Sequence, residues 1–165
     1  MAVCPGAEFG AAKRWFPERF AEVMRVVSET RRCRWHVVGV AKDQPVGERI
    51  EAALASGAEG RVCVENWMGR TSLRELIALL RRCRVLLTND TGTMHLAAVL
   101  GVPTVAVFGS TDPAATGPLG EGHVVVRHEV PCGPCFLREC PLDFACMEGV
   151  AVGEVVDAVQ EKLTA

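Results

Sequence analysis

The segment from Leu86 to Gly109, "LLTNDTGTMHLAAVLGVPTVAVFG", constrains the fold more than any other part of the chain. Both of its ends are apolar runs that lack the alternation of a strand with one wet face. Such runs suit strands covered on both sides, which is the condition of a parallel sheet. Between them lie a polar turn, Asn89-Asp90-Thr91-Gly92, and a helical stretch, which together carry the chain back for a parallel crossover.

The same alternation runs through the rest of the sequence. "AVC" predicts a short first strand, followed by a loop rich in Gly, Ala and Pro. In "PERFAEVMRVVSETR", Phe20, Val23, Met24 and Val27 recur at three- and four-residue spacing behind Pro17, so a helix is expected there. "WHVVGV" predicts a second strand, "GERIEAALAS" a helix closed by Gly57, and "RVCVE" a third strand. "TSLRELIALLRRC" opens with a capping box, Ser72 to Glu75, and puts Leu73, Leu76, Ile77 and Leu80 on one face. "HVVVR" predicts a sixth strand, and "VGEVVDAVQEKL" a terminal amphipathic helix. No internal repeat or linker divides the chain. The expectation is one doubly wound, Rossmann-like α/β domain over residues 1–165.

Composition narrows the partners. The 165 residues suit a single domain with its own core. A formal net charge of −2 gives no electrostatic case for nucleic acid or an anionic membrane. The apolar runs stop short of a membrane span. "MAVCPGAEFG" lacks the charged, apolar and cleavage regions of a signal peptide, so the cytoplasm is the expected compartment.

In such a sheet, ligands sit beyond the carboxyl ends of the strands. The loops there contain neither G-x-G-x-x-G nor a Walker A pattern, which argues against a dinucleotide oxidoreductase or a P-loop NTPase. The turn at 89–92 offers something else. Thr91, Gly92 and Thr93 are expected to begin a helix, so their N–H groups lack intrahelical partners and form an anion site. Gly92 lets a phosphate approach without a Cβ in the way. Asp90 cannot itself meet a phosphate and is expected to cap the helix or orient its neighbours. His95 lies one helical turn on, as a ligand contact or a structural residue. Lys13, after the flexible "GAEFGAA", can swing a point charge toward the phosphate, with Arg14 as its competitor.

Taken in order, "PGAEFGAAKRWFPERFAEV", "GRTSLRELIALLRRCRVLLTNDTGTMHLAAVLGVPTVAVFGSTDP" and "TGPLG" resemble the C-terminal half of glycosyltransferase family 9, the ADP-heptose:lipopolysaccharide heptosyltransferases. "CGPCFLRECPLDFACM" is similar to a segment of the heptosyltransferase II branch. The resemblance implies the C-terminal domain of a GT-B fold, with the nucleotide-sugar donor bound mainly on this domain. It implies that Lys13 meets the donor phosphates or sugar, and that Asp90, Thr91 and Gly92 hold the diphosphate. Thr71 would meet adenine, Asp43 the ribose hydroxyls, and His95 matches the motif histidine. Ser110 replaces the proline usual in "FGPTDP" and leaves Thr111 and Asp112 available. The implied reaction is heptose transfer from ADP-heptose to the lipopolysaccharide inner core, of inverting type and needing no cofactor. Its catalytic base and acceptor surface are expected in an N-terminal half that this chain does not contain. The chain alone is therefore not expected to transfer sugar, and it is expected in the cytoplasm, at most peripheral to the inner membrane.

Eight cysteines add a second theme. Cys4, Cys33, Cys63 and Cys83 are scattered and read as small buried hydrophobes. Cys132, Cys135, Cys140 and Cys146 cluster in a loop at about 131–147, where four thiolates would suit a closed, structural zinc site. A loop of reduced thiols is the plainer alternative, and Arg138 lies among them, where it can face the cleft. Two further readings stay open: a non-catalytic nucleotide-binding module, and a metal- or thiol-dependent interaction domain. Donor identity, ADP-heptose or another nucleotide sugar, is not fixed by any residue of this half.

Overall fold

The computed structural model describes residues 1–56 and 62–164. Among these residues the strands are β1 (Ala2–Cys4), β2 (Arg34–Val37), β3 (Cys63–Asn66), β4 (Leu86–Asn89), β5 (Thr104–Phe108) and β6 (Val124–Arg127). They form one parallel sheet in the order β3-β2-β1-β4-β5-β6. The order reverses between β1 and β4, and a doubly wound sheet opens its ligand crevice at that point. β4 and β5 are buried at every position, their apolar residues covered on both faces and their buried Thr88, Asn89 and Thr104 side chains hydrogen-bonded.

Helices cover both faces. On one lie α1 (Pro17–Thr30), α2 (Gln44–Ala55) and α7 (Val152–Thr164). Pro17 starts α1 with its φ preset and no N–H to orphan, and Phe20, Val23, Met24 and Val27 point into the core with no exposure. Trp15 meets Phe20 edge to face, with ring centroids 5.2 Å apart. α7 brings Val155, Val159 and Leu163 to the same core.

The other face carries α3 (Leu73–Leu80) and α4 (Gly92–Val99), around Leu80, Leu86, Ala97 and Val102. The expected capping box is present in both directions: Ser72 Oγ accepts from the Glu75 N–H, and the Glu75 carboxylate accepts from the Ser72 N–H at 2.7 Å.

The differences from the sequence reading lie at element ends and in two short additional helices. α2 begins at Gln44, earlier than "GERI" suggests, because a 3-10 turn at Ala41–Asp43 leads directly into Pro45 in the helix's first turn. Gly57 and Arg61 fall outside the described residues, so the expected end of α2 and start of β3 do too. Two single-turn helices that the sequence reading did not anticipate, α5 (Pro113–Thr116) and α6 (Ala145–Glu148), flank β6 and the cysteine loop. No helix among the described residues is long and apolar enough to cross a membrane.

Phe20→Ala should cost about 3–5 kcal/mol of unfolding free energy, because a fully buried ring leaves a cavity. Ser72→Ala should cost only about 1 kcal/mol, the value of one cap. Urea denaturation of the two variants measures both.

Candidate functional site

The loops after β1 and β4 meet over the switch point, and the residues of the 89–92 turn divide the work between them. Asn89 binds the first loop from both ends of its amide. Its Nδ2 donates to the Pro5 carbonyl at 2.7 Å, and its Oδ1 accepts from the Trp15 N–H at 3.0 Å. Thr88 Oγ1 donates to the Cys4 carbonyl. These bonds fix the path of residues 5–15 beside β4 and so fix Lys13.

Lys13 and Asp90 form a buried ion pair, Nζ to Oδ2 2.5 Å, with both side chains largely removed from water. The same oxygen accepts from Thr111 Oγ1 at 2.7 Å and Thr116 Oγ1 at 3.0 Å. Asp90, on the loop after β4, thus gathers donors from the loops after β1 and β5. A buried carboxylate needs such partners to offset its lost hydration. Asp90 is not the cap that the sequence allowed. Thr91 holds the N-cap position of α4 with no side-chain capping bond, and Asp90 is engaged on the cation and hydroxyls instead. Of the two roles expected for Asp90, orienting neighbours is the one the structure displays.

α4 starts at Gly92, and a Cβ added there would meet no atom within 4 Å. The first N–H groups of a helix have no intrahelical partner, the arrangement that favours an anion, and Thr91 and Thr93 at this end border open space. Beside this helix end, between the β1 and β2 sides of the cleft, lies a cavity of about 410 Å³ lined by Gly6, Glu8, Asp43, Thr71, Thr91 and Thr93, among others. Val40 and Leu73 also line it and are 50% and 66% exposed, an apolar rim to the hollow. Cys4 lies on its floor with its thiol pKa pushed up by burial, so it stays protonated.

The expected site residues distribute as follows. Lys13, Asp90, Thr91 and Gly92 are brought together; Thr71 lines the cavity. Asp43 also lines it, but its side chain is 5% exposed and its Oδ1 accepts from Arg14 Nη2 at 2.9 Å. Its Oδ2 lies 2.1 Å from where a Cβ at Gly6 would stand, so only glycine admits it there. Arg14 is thus held away from the Lys13 position by Asp43, which separates the two competing cations. His95 is exposed and does not line the cavity. Thr116, Glu8 and Phe9 were not found from the sequence. Thr116 acts through a single hydroxyl 26 residues from Asp90, with no local pattern to mark it.

The zinc expectation needs correction. Cys132, Cys135, Cys140 and Cys146 do line one small cavity of about 20 Å³ and are free thiols. Yet among the described residues no group of three or more His, Cys, Asp or Glu is placed to hold a metal ion. Cys132 faces solvent, whereas Cys146 sits in α6, where burial raises its thiol pKa. The loop is secured by backbone bonds instead, Phe136 N–H to the Ser110 carbonyl at 2.7 Å and Ala12 N–H to the Arg138 carbonyl at 3.0 Å.

Residues 1–145 match the family Glycosyltransferase family 9 (heptosyltransferase). The chain is 40% identical over 127 residues to lipooligosaccharide heptosyltransferase 2 of Haemophilus influenzae, covering 77% of this chain and 36% of that protein. It is 32% identical over 165 residues to the Campylobacter jejuni (serotype O:2) lipooligosaccharide heptosyltransferase 2, covering 99% of this chain and 50% of that one. The solved structure of Escherichia coli ADP-heptose lps heptosyltransferase II superposes with a TM-score of 0.84 at 31% identity, over 99% of this chain and 46% of its own. The chain spans half or less of the length of these relatives.

Asp90→Asn leaves acceptors for Thr111 and Thr116 but strands the Lys13 charge in the interior. It should destabilise the fold by roughly 3–5 kcal/mol. Arg49→Met, which breaks the exposed Arg49–Glu18 pair, should cost less than about 1 kcal/mol. Denaturant midpoints of the two variants provide the comparison.

Proposed function

The chain belongs to glycosyltransferase family 9, and from that premise we propose that it is the donor-binding half of a heptosyltransferase that moves heptose from ADP-heptose to the inner core of lipopolysaccharide. The observation that carries this reading is the buried Lys13–Asp90 pair set beside the open N-terminus of α4 at the sheet's switch point.

In this reading the diphosphate lies on the N–H groups of Gly92 and Thr93, where the helix dipole favours negative charge by roughly 0.3–1 kcal/mol. The Thr91 hydroxyl adds a donor. Lys13, aimed by Asp90, faces the same anion. The nucleoside occupies the neighbouring cavity, its base against Val40 and Leu73 and near the Thr71 backbone. Asp43 and Glu8 are the carboxylates within reach of the ribose hydroxyls.

The chemical contribution of this half is electrostatic. As the bond from the anomeric carbon to the diphosphate breaks, negative charge grows on the departing ADP. Fixed N–H groups and a preset cation stabilise it without reorganising. Transfer also needs a base to take the acceptor's hydroxyl proton. We assign that base and the acceptor surface to the other half of the GT-B architecture, with inversion at the anomeric carbon as the expected outcome. No cofactor enters this scheme. The reaction belongs to the cytoplasm, at most at the periphery of the inner membrane.

Calorimetric titration of the purified chain with ADP and UDP tests the reading. ADP should bind with Kd of about 10⁻⁴ to 10⁻³ M and UDP more weakly. Thr91→Ala and Gly92→Ala leave the Lys13–Asp90 pair intact and should each weaken ADP roughly tenfold. UDP preference would move the donor to another nucleotide sugar. No binding of either nucleotide to a folded sample would overturn the donor site.

A further inference from the structure

Both cations of the first loop are already neutralised. Lys13 is paired with Asp90 and Arg14 with Asp43, each at hydrogen-bond distance. The two pairs sum to no net charge, and the end of α4 supplies only about half an elementary charge. A diphosphate carries more negative charge than this arrangement offsets.

One further cation stands at the site. The Arg138 guanidinium carbon lies 5.1 Å from the centroid of the Phe9 ring, and Lys13 Nζ lies 4.8 Å from the same centroid. Sharing that ring, the two cations are no more than about 10 Å apart. Among the described residues, Arg138 has no carboxylate partner and its guanidinium makes no hydrogen bond, unlike Lys13 and Arg14.

Its position is set by the backbone. The Arg138 carbonyl accepts from the Ala12 N–H at 3.0 Å. A Cβ on Gly10 would lie 2.3 Å from that carbonyl oxygen, so the first loop and the cysteine loop meet this closely only because residue 10 is glycine. The Phe136 N–H, bonded to the Ser110 carbonyl, ties the same segment to the loop after β5. The cysteine loop thus presents an uncompensated, exposed arginine to the loop that carries Lys13.

We propose that Arg138 is a further donor-binding residue: its guanidinium, laid over Phe9 beside the Lys13–Asp90 pair, engages the terminal phosphate of the nucleoside diphosphate and supplies the charge that the two neutralised pairs do not. The inference rests on the reading that this cleft takes a nucleoside diphosphate. A guanidinium suits the role because its planar fork can grip two phosphate oxygens while its face stays on the ring.

The test is the affinity of the chain for ADP and for AMP, measured by calorimetry for the wild type, Arg138→Ala and Arg138→Lys. The Arg138 side chain makes no hydrogen bond or ion pair and gives up only its exposed contact with Phe9, so Arg138→Ala should stay folded with a melting temperature within a few degrees of wild type. It should weaken ADP roughly tenfold or more, the loss of a charge-assisted contact. AMP, which lacks the terminal phosphate, should change less than about twofold. Arg138→Lys should recover part of the ADP affinity, since it restores the charge but not the fork. Unchanged ADP affinity in Arg138→Ala, or equal losses for ADP and AMP, would overturn the assignment while leaving the nucleotide site standing. A wild-type chain that binds neither nucleotide would remove the site itself and this inference with it.

Discussion

The geometry of this domain depends on one buried ion pair. Lys13 and Asp90 are 77 residues apart in the chain, on the loops after β1 and β4, and they meet at 2.5 Å where water is largely excluded. Neither charge would be tolerated there alone. The pair therefore locks the two central strand ends of the sheet to each other. Asp90 extends the lock to the loop after β5 through Thr111 and Thr116. Three loops that would otherwise move independently are held around one carboxylate.

In the proposed reading, this rigidity serves electrostatics. A preorganised site must aim its dipoles before the charge develops, because reorganisation at that moment is costly. Asn89 holds the backbone on either side of the first loop, Asp90 holds its lysine, and the N-terminus of α4 is left open. The cost of that rigidity is a cation already spent on Asp90. A neutralised lysine gives direction more than charge, and the exposed Arg138 on the cysteine loop answers that deficit. The cysteine loop is fastened to the first loop and to the loop after β5 by main-chain bonds at Ala12 and Ser110.

Much of this was legible in the sequence because it rests on periodic or local signals. The apolar runs that enter β4 and fill β5, the three–four spacing of α1 and the Ser72–Glu75 box each encode their structure within a few residues. The N-D-T-G turn announced a helix start through its glycine and its place after an apolar run, and α4 does begin at Gly92. What the sequence could not show was long-range. Whether Asp90 caps its helix or reaches Lys13 depends on where the first loop runs, and that path is set by Asn89. Asp43 was read as a ribose ligand; the structure puts it on the cavity wall but gives one of its oxygens to Arg14. The cysteine spacing suggested zinc, yet spacing alone does not aim thiols at a common point. Cys132 stays in solvent while Cys146 joins α6 against the core.

The central claim is that the open end of α4 receives the diphosphate of a nucleotide. Titrating the isotopically labelled chain with ADP while following its backbone amide resonances tests that claim most directly. The account predicts saturable shifts concentrated at Thr91, Gly92 and Thr93, with smaller ones along the cavity at Thr71 and Ala41. Shifts confined to the opposite, amino-terminal ends of the strands, where Arg31, Arg32, Arg82 and Arg84 line another hollow, with α4 silent, would contradict it.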